Sequence, residues 1–127
     1  MEWAEDLPEG CPPSDAVAPN GEIFFRAVLT FPPTEIDFQS QRKQQSQKQY
    51  RNECEARALS MFSTLNGCKR LKKYPYFKNH LIVSLTLGKE CGLIKENPSS
   101  ISEMHYDWWL AAKFNPISIC KEAGRIS

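Results

Sequence analysis

The chain has 127 residues, 41% of them apolar and 11% aromatic, which suits one domain with an ordinary core and leaves no room for a second. No run approaches the roughly 20 apolar residues that a bilayer-spanning helix needs, and the acidic N-terminus is unlike the basic opening of a signal peptide, so the expectation is a cytoplasmic protein without a membrane partner. The net charge of +1 hides a segregation: residues 1–22 hold six acids and no Lys or Arg, whereas residues 42–78 hold ten bases against Glu53 and Glu55. One part of the molecule can therefore attract anions, and the acidic part is free to shield it.

Residues 1–20 contain Pro8, Pro12, Pro13 and Pro19 among small and acidic residues and read as an extended arm ahead of a single domain at 21–127. Trp3 is expected to dock back on that domain, because the alternative exposes a large ring. The run Ile23 to Phe31 is aromatic and β-branched and stops at Pro32-Pro33, which predicts a central strand. Thr34 followed by Asp37 is a helix-start signature worth about one turn.

From Gln39 to Gln49 there is no apolar residue, and all six glutamines of the chain lie there. A loop over 39–48 and a helix over 49–58 follow from that composition and from the spacing of Tyr50, Cys54 and Arg57 or Ala58. Ser60 to Ser63 reads as a short strand, and Thr64 caps a helix over Leu65 to Lys73 with Lys69, Arg70, Lys72 and Lys73 on its outer face. His80 to Leu87 is the strongest buried-strand candidate and ends at Gly88. After a turn at residues 97–100, residues 103–109 alternate: Met104, Tyr106 and Trp108 face one way, and Glu103, His105, Asp107 and Trp109 the other. A short helix from Leu110 to Phe114 and a last strand at Ile117 to Cys120 complete an α+β domain with a mixed, mainly antiparallel sheet and two or three short helices.

The five cysteines are scattered without metal-ligand spacing, so they read as reduced thiols, mostly buried. No glycine-rich phosphate loop is present, which excludes a Rossmann or nucleotide-kinase design. Ser60, His105 and Asp107 are the residue types of a nucleophilic triad, but no Gly-x-Ser-x-Gly elbow surrounds Ser60. Trp109 is expected to point outward as a partner contact. The basic helix, with Tyr74, Tyr76 and Phe77 after it, has the cations and rings of a nucleic-acid surface.

Arg26 in the first strand, Phe31-Pro32-Pro33-Thr34, Ser60 to Thr64 and His105-Tyr106-Asp107-Trp108, taken in order, resemble small uncharacterised bacterial proteins, cyanobacterial and actinobacterial, with an ADP-ribosyltransferase-like layout. The resemblance spans roughly residues 22–112. It implies NAD as cofactor, Arg26 on the dinucleotide, Ser60 or Ser63 supporting the site, and Glu103 as the late acid, with His105 beside them; no Glu-x-Glu or Gln-x-Glu pair surrounds Glu103.

Three functions follow as expectations. The first is a non-catalytic interaction or accessory protein with a protein partner, in a bacterial or phage conflict system, using the arm, Trp109 and the basic face. The second is an NAD-binding transferase-like enzyme built on Arg26, Ser60, His105 and Glu103. The third is a nucleic-acid binder using Lys69, Arg70, Lys72, Lys73 and Tyr76.

Overall fold

A computed structural model describes all 127 residues. Six strands form one sheet in the order β4-β5-β2-β1-β3-β6, and every pairing is antiparallel. The strands are β1 (Glu22–Val28), β2 (Leu59–Phe62), β3 (Leu81–Leu87), β4 (Gly92–Glu96), β5 (His105–Leu110) and β6 (Lys121–Arg125). Three helices of four or five residues, α1 (Gln41–Gln44), α2 (Glu53–Ala56) and α3 (Leu65–Lys69), lie between them. The architecture is the expected α+β class, with the mixed sheet corrected to a purely antiparallel one.

Alternation along the strands builds two apolar layers. Phe24, Val28, Leu59, Met61, Val83, Leu85, Leu87, Ile94 and Trp108 form the larger on one face. Phe62 and Ile82 project from the other face onto Cys68 of α3, Leu71 and Ile126. Each fully buried large side chain of this kind contributes about 1.5–3 kcal/mol by leaving water. The indole N–H of Trp108 donates to the Cys91 carbonyl at 3.0 Å, so the ring is buried without an orphan donor.

Local chemistry sets several boundaries. Asp37 accepts from the backbone N–H of Thr34 at 2.9 Å and of Leu29 at 2.8 Å, which closes the turn after β1 and starts a 3-10 turn at Glu35–Phe38. Side chains of Ser40, Asn52 and Thr64 accept from the first turns of α1, α2 and α3 respectively. The expected helix over 49–58 is thus confined to α2, and α1 occupies part of the expected loop. The helix expected over Leu65 to Lys73 passes into a 3-10 turn at Arg70–Lys73, followed by another at Pro75–Phe77.

The C-terminal third departs further from expectation. β5 runs on to Leu110, and no helix covers Leu110 to Phe114. Asn115 accepts from Ile117 N–H and Pro116 sits in the first turn, so Ile117 to Ile119 lies in a 3-10 turn (Pro116–Ile119), Cys120 is the extended residue that ends it, and the last strand follows. β4 has no counterpart in the sequence reading. It begins at Gly92, whose φ of 125° and whose position, with a Cβ that would fall 2.0 Å from the Trp109 carbonyl oxygen, both require glycine.

The acidic arm is part of the domain. Trp3 bridges Ala111 just past the end of β5, and Val17 bridges Ile94 on the outer side of β4. Ser40 donates to the Glu5 carboxylate through both its N–H, at 2.9 Å, and its hydroxyl, at 2.6 Å, and Arg57 donates to the Asp6 carbonyl. Cys11 and Cys54 form a disulfide that ties the arm to α2, which corrects the expectation of five reduced thiols; Cys68, Cys91 and Cys120 are free. No helix is long and apolar enough to cross a membrane.

Candidate functional site

Ala58, Ser60, His105 and Asp107 lie on the Phe62 side of β2 and β5, on the part of that face beyond α3. These residues, with Gln41, Tyr50, Arg51, Asn52, Glu55 and Asn97, line an open cleft of about 520 Å³. Its floor follows from register: Ser60 lies opposite Asp107 and Phe62 opposite His105, so Ser60 and His105 are diagonal neighbours on one face. Its rim is the α1–α2 segment. There the Tyr50 hydroxyl donates to the Gln41 carbonyl at 2.9 Å, the Arg42 guanidinium sits 4.7 Å from the Tyr50 ring centroid, and Arg42 pairs with Glu53.

Asn97, in the loop between β4 and β5, joins the polar groups into one network. Its backbone carbonyl lies 2.8 Å from Nδ1 of His105. A carbonyl only accepts, so Nδ1 of the neutral ring carries the proton and Nε2 presents a lone pair. The Ser60 hydroxyl donates to that Nε2 at 3.0 Å. The Asn97 side-chain amide donates to Asp107 at 2.9 Å and to Glu55 at 3.3 Å, holding two carboxyl groups near each other. Burial pushes the Asp107 carboxyl above its ordinary range and Glu55 adds to the rise; the Asn97 bond, His105 and Lys95 oppose it.

The arrangement supplies a hydroxyl, a ring nitrogen that can accept its proton, and two carboxyl acceptors, all reachable from one opening. The third partner of the Ser60–His105 pair is a backbone carbonyl, not the Asp107 carboxylate. No cluster of three or more His, Cys, Asp or Glu side chains has the geometry to hold a metal ion.

The transferase-like reading needs Arg26, Ser60 and His105 in one cleft; Ser60 and His105 meet there, and Arg26 does not. Its side chain shares a face with Phe24 and Val28, opposite the cleft. There it donates to the Asp37 carbonyl through Nε at 3.1 Å and Nη2 at 2.7 Å, and to the Ser60 carbonyl, with its guanidinium 5.6 Å from the Phe38 ring centroid. Burial lowers its pKa to about 10 while Asp37 pulls it back up, and it stays charged at neutral pH. Arg26 is a structural cation that joins β1, β2 and the Glu35–Phe38 turn. Glu103 is exposed in the turn before β5 and does not line the cleft; the acids that do are Glu55 and Asp107.

Trp109 is corrected as well. It is 1% exposed, and its indole N–H donates to the Cys54 carbonyl of α2 at 3.0 Å. Alternation places it on the His105 face, but α2 covers that end of the face. Lys69, Arg70, Lys72, Lys73 and Tyr76 lie away from the cleft, along α3 and the two turns after it. Asn97 and Glu55 were missed because one reads as a turn residue and the other as a solvated helix residue; neither carries a signal for a partner more than 40 residues away. No family model, curated protein or solved structure matches this chain.

Proposed function

We propose that the protein binds a small polyhydroxylated ligand of the nucleoside or dinucleotide class in the β2–β5 cleft, and that His105 accepts a proton from a hydroxyl there. The observation that carries this reading is the Asn97 carbonyl on Nδ1, which leaves Nε2 as the acceptor that the Ser60 hydroxyl meets at 3.0 Å and that a ligand hydroxyl would share or take over. Glu55 and Asp107 suit the paired hydroxyls of a ribose, and the exposed Arg51 on the rim suits a phosphate. An NAD-dependent transferase is the form of this chemistry that the sequence resemblance suggests. In it the acid is Glu55 or Asp107 in place of Glu103, and the phosphate cation is Arg51 in place of Arg26.

The test follows the His105 ring resonances while NAD, ADP-ribose or adenosine is added. The expected result is saturable movement of those resonances, abolished in Glu55→Gln combined with Ser60→Ala. A ring that stays unmoved up to millimolar concentrations of all three refutes the reading.

A non-catalytic accessory role keeps only the basic face as support, since Trp109 and the arm are both committed to the domain. The Cys11–Cys54 bridge favours an oxidising compartment over the cytoplasm.

A further inference from the structure

Strand order separates the two charged segments. The acidic arm is held at the end of β5 through Trp3, at Ser40 and Arg57 through Glu5 and Asp6, and on the outer side of β4 through Val17. Residues 69–78 lie toward the β6 side of the sheet, where Leu65 and Lys69 approach Gly124 of β6 and the Ile126 N–H donates to His80. Of the basic residues in 42–78, the arm meets Arg57 through Asp6, and its contacts leave residues 69–78 unshielded. Within those ten residues Lys69, Arg70, Lys72, Lys73 and Lys78 face no acid of their own segment, and Arg125 of β6 joins them at the same side.

None of these six cations is in an ion pair. The only ion pairs of the molecule are Arg42–Glu53, Arg57–Glu53 and Lys95–Asp15. Arg70 spends Nε on the Ile101 carbonyl, which orients the guanidinium and leaves its terminal nitrogens free.

Two tyrosines interrupt the cations. Tyr74 is 42% exposed and Tyr76 64% exposed. Tyr76 is nonetheless held: its ring centroid lies 4.9 Å from that of Phe77 and 5.1 Å from that of the buried His80. Phe77 and His80 are in turn 5.0 Å apart, so a three-ring cluster of mostly edge-to-face contacts braces a mostly exposed ring. Burial lowers the His80 pKa, with Asp37 opposing, so at neutral pH the imidazole adds no charge behind the ring. A solvated cationic face needs no such brace. A braced ring, Tyr76, and a second exposed ring, Tyr74, set among unpaired cations match what a single strand presents, with phosphates at regular intervals and bases free to stack.

We infer that the surface formed by residues 69–78 and Arg125 binds single-stranded nucleic acid, with the lysines and arginines on phosphates and Tyr74 and Tyr76 stacking on bases. The surface reads no sequence, because stacking accepts every base and no side chain here is arranged for bidentate contact with base edges. It lies apart from the cleft and does not depend on the ligand proposed there.

The experiment measures fluorescence anisotropy of labelled oligothymidine and oligouridine with the full chain in its oxidised form, over about 50 to about 200 mM salt. With five or six phosphate contacts, the slope of log K against log salt is expected near −0.7 per contact, about −3.5 to about −4.2. Lys72→Gln with Lys73→Gln lowers that slope by about 1.4. Tyr76→Ala weakens binding about 5- to 100-fold with the slope unchanged. Both variants alter exposed side chains, and a far-ultraviolet circular dichroism spectrum matching the parent's checks that they fold.

Binding of heparin as tight as that of the oligonucleotides, with Tyr76→Ala without effect, overturns the inference in favour of a general polyanion surface. Capture by vesicles of anionic lipid with no oligonucleotide binding overturns it in favour of a membrane surface. Absence of binding at the lowest salt overturns it outright.

Discussion

Opening the Cys11–Cys54 bridge should destabilise the fold by about 4 kcal/mol without undocking the arm. The cross-link closes a loop with a sequence separation of 43 residues. Loop-closure entropy for that length is about 13 cal/mol/K, or about 4 kcal/mol at 25 °C, acting on the unfolded chain. Spread over an unfolding entropy of about 2.1 cal/mol/K per residue, this lowers Tm by about 15 °C. The native arm keeps its other attachments in the reduced protein: the backbone bonds of Ala4 to Leu110, Ala112 to Glu2 and Val17 with Ile94, the Glu5–Ser40 pair, and Arg57 on Asp6. The assay is urea denaturation of parent and Cys11→Ser/Cys54→Ser chains, with the intact bridge verified by mass, and limited proteolysis of the arm in each. A loss below about 1 kcal/mol, or an arm cleaved as readily as an unfolded peptide in the double variant, would refute the reasoning.

Arg26→Met should cost roughly 2–4 kcal/mol, because the Asp37 and Ser60 carbonyls lose a buried donor; a variant that keeps full stability but loses cleft binding would return Arg26 to the site. Asp107→Asn tests the raised carboxyl. A carboxyl whose folded pKa lies above its ordinary value of 3.8 stabilises the fold fully only below that value, and this contribution is lost as pH rises through the folded pKa. The asparagine variant should therefore lose less stability than the parent between about pH 4 and pH 7, measured by urea midpoints, and a steeper loss in the variant contradicts the assignment. Cys68 and Cys91 are fully buried, and burial pushes the Cys68 thiol up to about 12, so both should resist a thiol reagent in the native state and react on unfolding; prompt native labelling of either would show that its layer opens.

Much of the fold was legible where a strand carries its own pattern. β1, β2, β3 and β5 have runs or alternation that burial imposes on inner strands, and the shared face of His105 and Asp107 followed from it, whereas Ser60 joins that face only through the β2–β5 register. β4 and β6 lack that signal. Gly-Leu-Ile-Lys-Glu and Lys-Glu-Ala-Gly-Arg are short edge strands defined by the partner they pair with, and charge is normal on an edge. Ile117 to Cys120 looked like a strand by composition, yet Asn115 and Pro116 start a tight turn whatever follows. Alternation tells which face a residue takes but not what covers that face, which is why Trp109 was misjudged. The same limit hid Asn97 and Glu55, whose roles depend on a loop and a helix arriving from distant parts of the chain.

The bridge between Val17 and Ile94 has a consequence for how the molecule behaves at high concentration. Ile94 exchanges both of its outward backbone bonds with Val17, at 2.9 Å and 2.8 Å, so the arm occupies the free side of β4 as a fragment of a seventh strand. An open strand edge is a template for pairing with another chain. The opposite edge, β6, is short and bears Lys121, Glu122 and Arg125, which discourage that pairing. The arm is thus a safeguard against self-association, and a chain truncated before Gly21 should form edge-to-edge oligomers even though its core layers remain complete.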